Sequence, residues 1–466
     1  MEEKTLKISK KAFINTLIIL FVLMVVALII TYLIPSGSYK RVITNGIETI
    51  NPNSFKFVPK IYLPIYKLFT APIEVLFSKD APLVVTIIIF ILFVSGSFSV
   101  LSKANIVKAI ILSITKRFER RKYLLIAIVI FIFMSLGAIL GLFEEMIPLV
   151  PLVVSLAISM GFDDLTGLGM SLLAVGFGFS AAISNPFSIG VAQRLAGLPL
   201  FSGAYLRIVF FILTYFITTL FVISHAKSIE NRDTRVNLIE EYASNPKELR
   251  AIRFFALSLV LMLAVVIITP FNGTLSQISL PLITLIFLIA GFGSGIFAGL
   301  TIKDTFKTFF EGILNVAPSI ILILMAVSVK HIIEQGNVID TILYFAQTYI
   351  LKTNQYVAGI VMYITTLILN FFIGSASAKA FLVIPILAPL SDLVGLTRQV
   401  AVTAFCFGDG FSNLLYPTNA VLIIGLSLVD MPYPKWIRWT IKIQAIIFLV
   451  SILFLMFAIK IHYGPF

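Results

Sequence analysis

Apolar runs of about twenty residues, separated by short polar or charged segments, fill this chain from one end to the other. An α-helix rises about 1.5 Å per residue, so runs of this length match the roughly 30 Å hydrocarbon core of a bilayer. Spans are predicted over residues 13–34, closed by Pro35-Ser36-Gly37, then over 82–101, 204–226, 254–271, 277–299, 318–329 and 436–458. Amphipathic stretches are expected at 62–77 and 301–315.

Four segments depart from the simple pattern. Two pairs of apolar arms, 123–140 with 146–160 and 356–373 with 380–390, flank the short polar tips Gly141-Leu142-Phe143-Glu144-Glu145 and Gly374-Ser375-Ala376-Ser377-Ala378-Lys379. Two further runs, 166–199 and 400–429, are interrupted near the middle by Ser184-Asn185-Pro186 and Pro417-Thr418-Asn419. Polar helix-breaking residues persist at membrane depth only where they line a cavity or are buried in protein. Matching interruptions in two halves of a chain point to the binding centre of a transporter.

The first tip reads either as a membrane-surface loop or as the buried end of a re-entrant hairpin. Counting crossings favours the hairpin, because it leaves the charged linker 227–253 on the cytoplasmic side, where Lys and Arg accumulate. The order hairpin, broken helix, span then occurs twice. At a shift of 234 residues Pro151 meets Pro385, Gly161 meets Gly395, Gly176-Phe177 meets Gly410-Phe411, and Asn185 meets Asn419. The additional span before the second copy reverses its orientation. The fold expected is an all-α polytopic membrane protein of two inverted repeats, each with a re-entrant hairpin (123–160, 356–390) and a broken transmembrane helix (166–199, 400–429). The halves are 1–226 and 254–466.

Composition agrees with this reading. Hydrophobic residues are 59% and charged residues 12%, with mean hydropathy +1.05, far from soluble usage. The net charge of +13 does not imply nucleic acid, because most of the 35 Lys and Arg fall on the side assigned to the cytoplasm, notably at 116–122 and 227–253. The charged start Met1 to Lys11 precedes a span without a small-residue cleavage pattern, so a retained first span and a cytoplasmic N-terminus are expected. Cys406 is the single cysteine, read as a packing residue, and His225, His331 and His462 lie far apart, so no metal site is expected.

Candidate chemistry concentrates at the tips and breaks. A carboxylate at the bilayer centre costs at least about 2.5 kcal/mol, so Glu144 and Glu145 require a partner if the tip is buried. That partner is a cationic substrate, a sodium ion or proton, or Lys379, which aligns with Glu145. Ser184, Asn185, Thr418 and Asn419 offer hydroxyls, amides and freed carbonyls beside half-helix ends, suited to Na⁺ or to a carboxylate; the alternative is two proline kinks whose polar groups satisfy one another. Asp409 either binds a cation or proton or accepts from a nearby backbone amide. Ser375 and Ser377 supply tip hydroxyls or permit close packing. Arg194, Arg207 and Arg438, near the ends of apolar runs, read as snorkelling to the interface.

Gly141-Leu142-Phe143-Glu144-Glu145, Ser184-Asn185-Pro186-Phe187, Gly374-Ser375-Ala376-Ser377-Ala378 and Tyr416-Pro417-Thr418-Asn419 resemble the YfcC-type transporters, grouped with arginine/ornithine antiporters and anaerobic C4-dicarboxylate carriers. The resemblance covers nearly the whole chain. It implies an elevator of the ion transporter superfamily, a homodimer in the cytoplasmic membrane, with tips at 142–145 and 375–379 and unwound segments at 184–188 and 416–420. Sodium- and dicarboxylate-coupled relatives carry Ser-Asn-Thr at both tips, and this chain does not. Two acidic residues at one tip suit a guanidinium or ammonium group instead. The expected function is exchange of basic amino acids of the arginine/ornithine type; a C4-dicarboxylate or other organic-anion carrier anchored by Lys379 is the alternative. Na⁺ and H⁺ are the candidate coupling ions, no other cofactor is expected, and an enzyme is not.

Overall fold

Backbone N–H and C=O groups in hydrocarbon must be satisfied within the chain, and this protein meets that demand almost entirely with helices. The computed structural model describes residues 10–44, 47–79, 81–229, 246–268 and 273–464. Most of the linker assigned to 227–253, and the charged start Met1–Ser9, lie outside the described residues.

Among the described residues eight helices are long and apolar enough to cross a membrane. They are Phe13–Leu33, Ala81–Lys103, Ile106–Leu140, Asp164–Leu195, Ala204–Ile229, Leu280–Phe297, Ala376–Leu393 and Tyr433–Lys460. The pair Ile302–Val316 and Ser319–Gln335, bent by 42°, makes a ninth if counted as one span. This is a polytopic helical membrane protein.

The helices fall into two packed groups. One combines Ala81–Lys103, Pro246–Ile268, Gly273–Phe297 and Ile302–Val316, with Lys10–Leu33 against Ser319–Gln335. The other gathers the segments expected as hairpins and broken helices together with Ala204–Ile229 and Tyr433–Lys460. Burial separates their roles: Asp164–Leu195 is 94% buried, whereas Tyr433–Lys460 is 39% buried and turns its remaining surface outward. Ala204–Ile229 likewise exposes Ile208, Val209, Ile212, Leu213, Phe216 and Leu220, the apolar covering that lipid requires.

Glycine permits the closest approach in the second group. A Cβ on Gly178 would collide with the Met134 carbonyl, and one on Gly137 with the Val175 carbonyl, so the arm Lys122–Ser135 and the helix Ala174–Ala181 meet backbone to backbone. Small residues at such crossings let dispersion contacts accumulate where hydrophobic exclusion does not operate.

Three features differ from the sequence expectation. The loop after the first span is not wholly irregular: Gly37–Ser38 pairs with Lys56–Phe57, and Arg41–Thr44 with Ile47–Ile50, both antiparallel. Helices also occupy Ile106–Phe118 and Ile339–Ile350, where none is expected. The first packs along Val150–Ser159 and the second along Gln355–Asn370 and Ala376–Leu393, so each lines one pair of arms. Ile339 lies 233 residues after Ile106, the same offset within one residue as the aligned breaks.

Candidate functional site

The first tip follows from a helix that cannot continue. After Lys122–Ser135 the chain widens into a π turn, Leu136–Leu140, and stops at Gly141 in the left-handed region at φ 71°. Glycine tolerates that conformation at little cost. It is also required sterically, because a Cβ there would strike the Asn185 side chain and, at 2.9 Å, the Phe187 ring. Leu142 and Phe143 are buried, and Glu144 opens the short 3-10 segment Glu144–Leu149. Glu144 is exposed, Glu145 is buried, and Glu144 lies within Coulombic reach of both Glu145 and Asp409.

Beside this tip the helix Ala174–Ala181 ends at Ala182, a left-handed residue at φ 46°. Ser184 donates from its backbone N–H to the Ala138 carbonyl (3.1 Å) and from Oγ to the Ile139 carbonyl (3.1 Å), pinning the break to the tip. Asn185 Oδ1 accepts from Phe187 N (2.9 Å) and Ser188 N (3.2 Å) and so caps the half-helix that begins at Pro186. Such a cap contributes about 1 kcal/mol. The Asn185 amide Nδ2 is buried without a hydrogen-bond partner.

The carbonyl of Ile183, freed by the break, accepts from Arg207 Nε (3.3 Å) and Nη2 (3.0 Å). Arg207 also donates to the carbonyls of Phe201 and Ser202 and to the Tyr463 hydroxyl, and it is 1% exposed. The snorkelling expected for Arg207 is therefore incorrect. The guanidinium is drawn inward because several converging carbonyls replace its hydration.

In the second half the helix Arg398–Gly410 passes through the 3-10 turn Phe411–Leu414 into the break, and Asn419 caps Ala420–Ser427 by accepting from Leu422 N at 3.2 Å. Thr418 Oγ1 donates to the Phe371 carbonyl (2.8 Å), fastening this break to the arm Gln355–Asn370. Here the freed carbonyls of Leu414 and Leu415 accept from Trp436 Nε1 (2.9 Å) and the Tyr433 hydroxyl (2.7 Å). In both halves the opening turn of the next span supplies the missing donors.

The second tip begins at Gly374. Ser375, exposed, caps Ala376–Leu393 weakly, with Oγ accepting from Ala378 N at 3.4 Å. Ser377 Oγ reaches across to donate to the Phe187 carbonyl at 2.8 Å, joining this tip to the first break. Lys379 points the other way. Its Nζ donates to Asp409 Oδ1 at 2.5 Å and to Asn370 Oδ1, with Lys379 and Asp409 both 0% exposed. Asn370 Nδ2 in turn donates to the Asp409 carbonyl, Ser412 Oγ and Asn413 Oδ1, and Asn419 Nδ2 donates to Asn413 Oδ1. Asp409 Oδ2 has no hydrogen-bond partner among the described residues. A cleft of about 460 Å³ opens onto this tip at Ala378 and Phe381 and is bordered on its far side by Arg41, Lys330, Glu334 and Asp340.

The two broken helices cross each other. Phe177 and Phe411 meet edge-on with ring centroids 5.4 Å apart, Gly176 lies against Leu414, and Gly410 lies against Ser180. Thus the structure sets Ser184, Asn185 and Ser377 around the first break, beside the tip that carries Glu144 and Glu145, and Lys379, Asp409, Thr418 and Asn419 around the second, with Glu144 within Coulombic reach of Asp409. Ser375 stands at the open side of its tip. Asn370, Asn413, Tyr433 and Trp436 are not singled out by the sequence, which flags Arg207 only as a snorkelling residue. Asn370 carries the one available signal, an amide near the end of an apolar arm.

A profile of the family described as C4-dicarboxylate anaerobic carrier matches residues 13–460. The chain is 27% identical over 477 residues to the Escherichia coli K12 protein named "Putative basic amino acid antiporter YfcC", with 94% of each chain covered. It is 22% identical over 508 residues to an uncharacterized protein of Haemophilus influenzae, covering 95% of this chain and 96% of that one. Among solved structures it is similar to the YdaH transporter of Alcanivorax borkumensis, at 15% identity and TM-score 0.43, with 97% of this chain and 100% of that one covered. MtrF of Neisseria gonorrhoeae, from a class of antimetabolite efflux pumps, gives 16% identity and TM-score 0.43, with 97% and 95% covered.

Proposed function

The chain belongs to the C4-dicarboxylate anaerobic carrier family, a family of membrane transporters, and from that premise we propose that it exchanges basic amino acids of the arginine/ornithine type across the cytoplasmic membrane. The observation that carries this reading is the unequal charge at the two tips. Lys379 is neutralised by Asp409 and sealed from solvent, whereas Glu144 is exposed and pairs with no cation among the described residues. A substrate entering between the tips meets a carboxyl group that no cation of the described residues pairs with. A guanidinium answers it with bidentate charge-assisted hydrogen bonds. Its α-carboxylate is left to the exposed Ser375 hydroxyl and to the unpartnered Nδ2 of Asn185. The name of the Escherichia coli relative agrees with this direction of charge.

The dicarboxylate reading draws on the family description. It needs an accessible cation, and the cation at the tips, Lys379, is buried and already paired.

In this reading the hairpins and broken helices form a transport domain that moves as an elevator against a scaffold of Lys10–Leu33, Ala81–Lys103 and 246–335. The protein is a homodimer with a cytoplasmic N-terminus. Inverted duplication is supported by the exchange of partners at the crossing: 176 with 414 and 180 with 410 map onto each other at a shift of 234, and Phe177 maps onto Phe411.

Proteoliposomes loaded with ornithine should take up labelled arginine faster than empty ones, with no competition from succinate. Uptake indifferent to internal ornithine would remove the exchange claim, and competition by succinate but not by lysine would turn the reading to the anion carrier. The Glu144→Gln/Glu145→Gln pair should lose at least about tenfold in uptake, the equivalent of 1.4 kcal/mol.

A further inference from the structure

Lys379 occupies an unusual position for a lysine at membrane depth. A charge there is tolerated when it pairs within the protein, but Lys379 does more than find one counter-ion. Its Nζ sits between a carboxylate oxygen of Asp409 and the amide oxygen of Asn370, and the surrounding oxygens of Ser412, Asn413 and the Asp409 backbone are tied to the same node through Asn370 Nδ2. Four elements supply these groups: the end of the arm Gln355–Asn370, the Ala376–Leu393 helix just behind its tip, the end of the Arg398–Gly410 helix, and the 3-10 turn Phe411–Leu414 that enters the break. Hard oxygen donors from a carboxylate and an amide, with a backbone carbonyl and further side-chain oxygens gathered beside them by Asn370 Nδ2, are of the kind that suits alkali and other hard cations.

We propose that the Lys379 ammonium is a resident cation, filling from within the chain an oxygen-lined position between the second tip and the second break that would otherwise take a sodium ion. The second carboxylate oxygen of Asp409, buried without a hydrogen bond, marks room in that donor set for one more interaction. The fixed ammonium holds tip and broken helix together with no ion from solution. The exchange reaction therefore runs without a sodium requirement at this position, and shortening Lys379 uncovers an ion site. The inference rests on the reading of the chain as a transporter and is independent of which substrate it carries.

The test is thermal unfolding of the purified full chain, in sodium chloride against choline chloride at equal ionic strength. Wild type should unfold at the same temperature in both, whereas Lys379→Ala should gain several degrees in sodium, rising with the logarithm of its concentration above the dissociation constant. The double variant Lys379→Ala/Asp409→Asn removes both charges and should fold without responding to sodium. A wild type stabilised by sodium would overturn the proposal, as would a folded Lys379→Ala indifferent to it. Should Lys379→Ala fold only in sodium, the proposal stands. Should it fold in neither salt, wild-type substrate exchange decides: equal rates in sodium and choline support the resident cation, and a sodium requirement refutes it. Loss of arginine exchange with an unchanged sodium response would count against the substrate reading alone.

Discussion

Phe177 and Phe411 meet edge-on at 5.4 Å, each contributed by one of the two broken helices and each at the same place within it. Both are buried, and the pair forms the centre of the crossing. Truncating a buried Phe to Ala costs about 3–5 kcal/mol. Phe177→Ala and Phe411→Ala should destabilise to a similar extent, and the double variant should cost less than the sum by about 0.5–1.5 kcal/mol, the usual edge-to-face coupling. A double-mutant cycle in detergent measures this; strict additivity would mean that the rings do not interact.

Arg207 serves three carbonyls and a hydroxyl from a buried position. In Arg207→Met the Ile183 and Phe201 carbonyls lose this donor, at about 1–3 kcal/mol for each group left buried and unsatisfied, while the Ser202 carbonyl keeps Gln193 and Gln399. The expected outcome is a drop of many degrees in unfolding temperature, with Arg207→Lys recovering little because a single ammonium cannot span the same acceptors. A near-normal Met variant would mean that Arg207 reaches the interface after all.

Gly178 has no room for a side chain against the Met134 backbone. Gly178→Leu should separate the arm from the broken helix and cost at least about 1–3 kcal/mol, the usual penalty of overpacking. Gly374, which has open space around it, should accept Ala with little change in stability. Equal tolerance at both positions would contradict the close crossing.

Glu74 joins the amphipathic helix Lys67–Glu74 to Ser319–Gln335. Partial burial pushes its carboxyl up, but hydrogen bonds from Lys67, Thr70, Gln335 and His331 outweigh this and bring it down to about 2. A carboxylate with a depressed native value stabilises the fold above its unfolded value, about 4.3, and loses that contribution as pH falls toward 2. The difference in unfolding temperature between wild type and Glu74→Gln should therefore be steady from pH 7 to about 5 and shrink below about 4. Repeating the comparison in a His331→Gln background isolates the carboxylate from the imidazole. A difference that grows on acidification would refute the assignment.

The breaks and tips could be read from sequence because a polar residue in an apolar run is costly, and the chain retains it only for a reason. Asn185, Asn419 and Gly141 were legible on that ground. The partner of Lys379 was not: alignment set it opposite Glu145, whereas the fold delivers Asp409, thirty residues further along, to the same point. Arg207 was misread because an arginine near the start of an apolar run looks like any snorkelling residue. Only the carbonyl of Ile183, which exists as an orphan once the helix is broken, explains its inward turn. Ile106–Phe118 and Ile339–Ile350 escaped because their polar faces dilute the apolar signal, and the ladders of 37–57 because strands of two and four residues leave almost no pattern.

The donors that seal each break come from the opening turn of the span that follows: Arg207 for the first, Tyr433 and Trp436 for the second. Neither interruption can be rewound into continuous helix without stranding an indole, a phenol or a guanidinium, so the breaks are permanent joints rather than gates. Each broken helix is bolted to its successor, and any motion of one would carry the other. In the proposed elevator the moving piece therefore has outriggers, Ala204–Ile229 and Tyr433–Lys460, whose outer faces would slide through lipid, so that the drag and thickness of the bilayer would enter its rate directly.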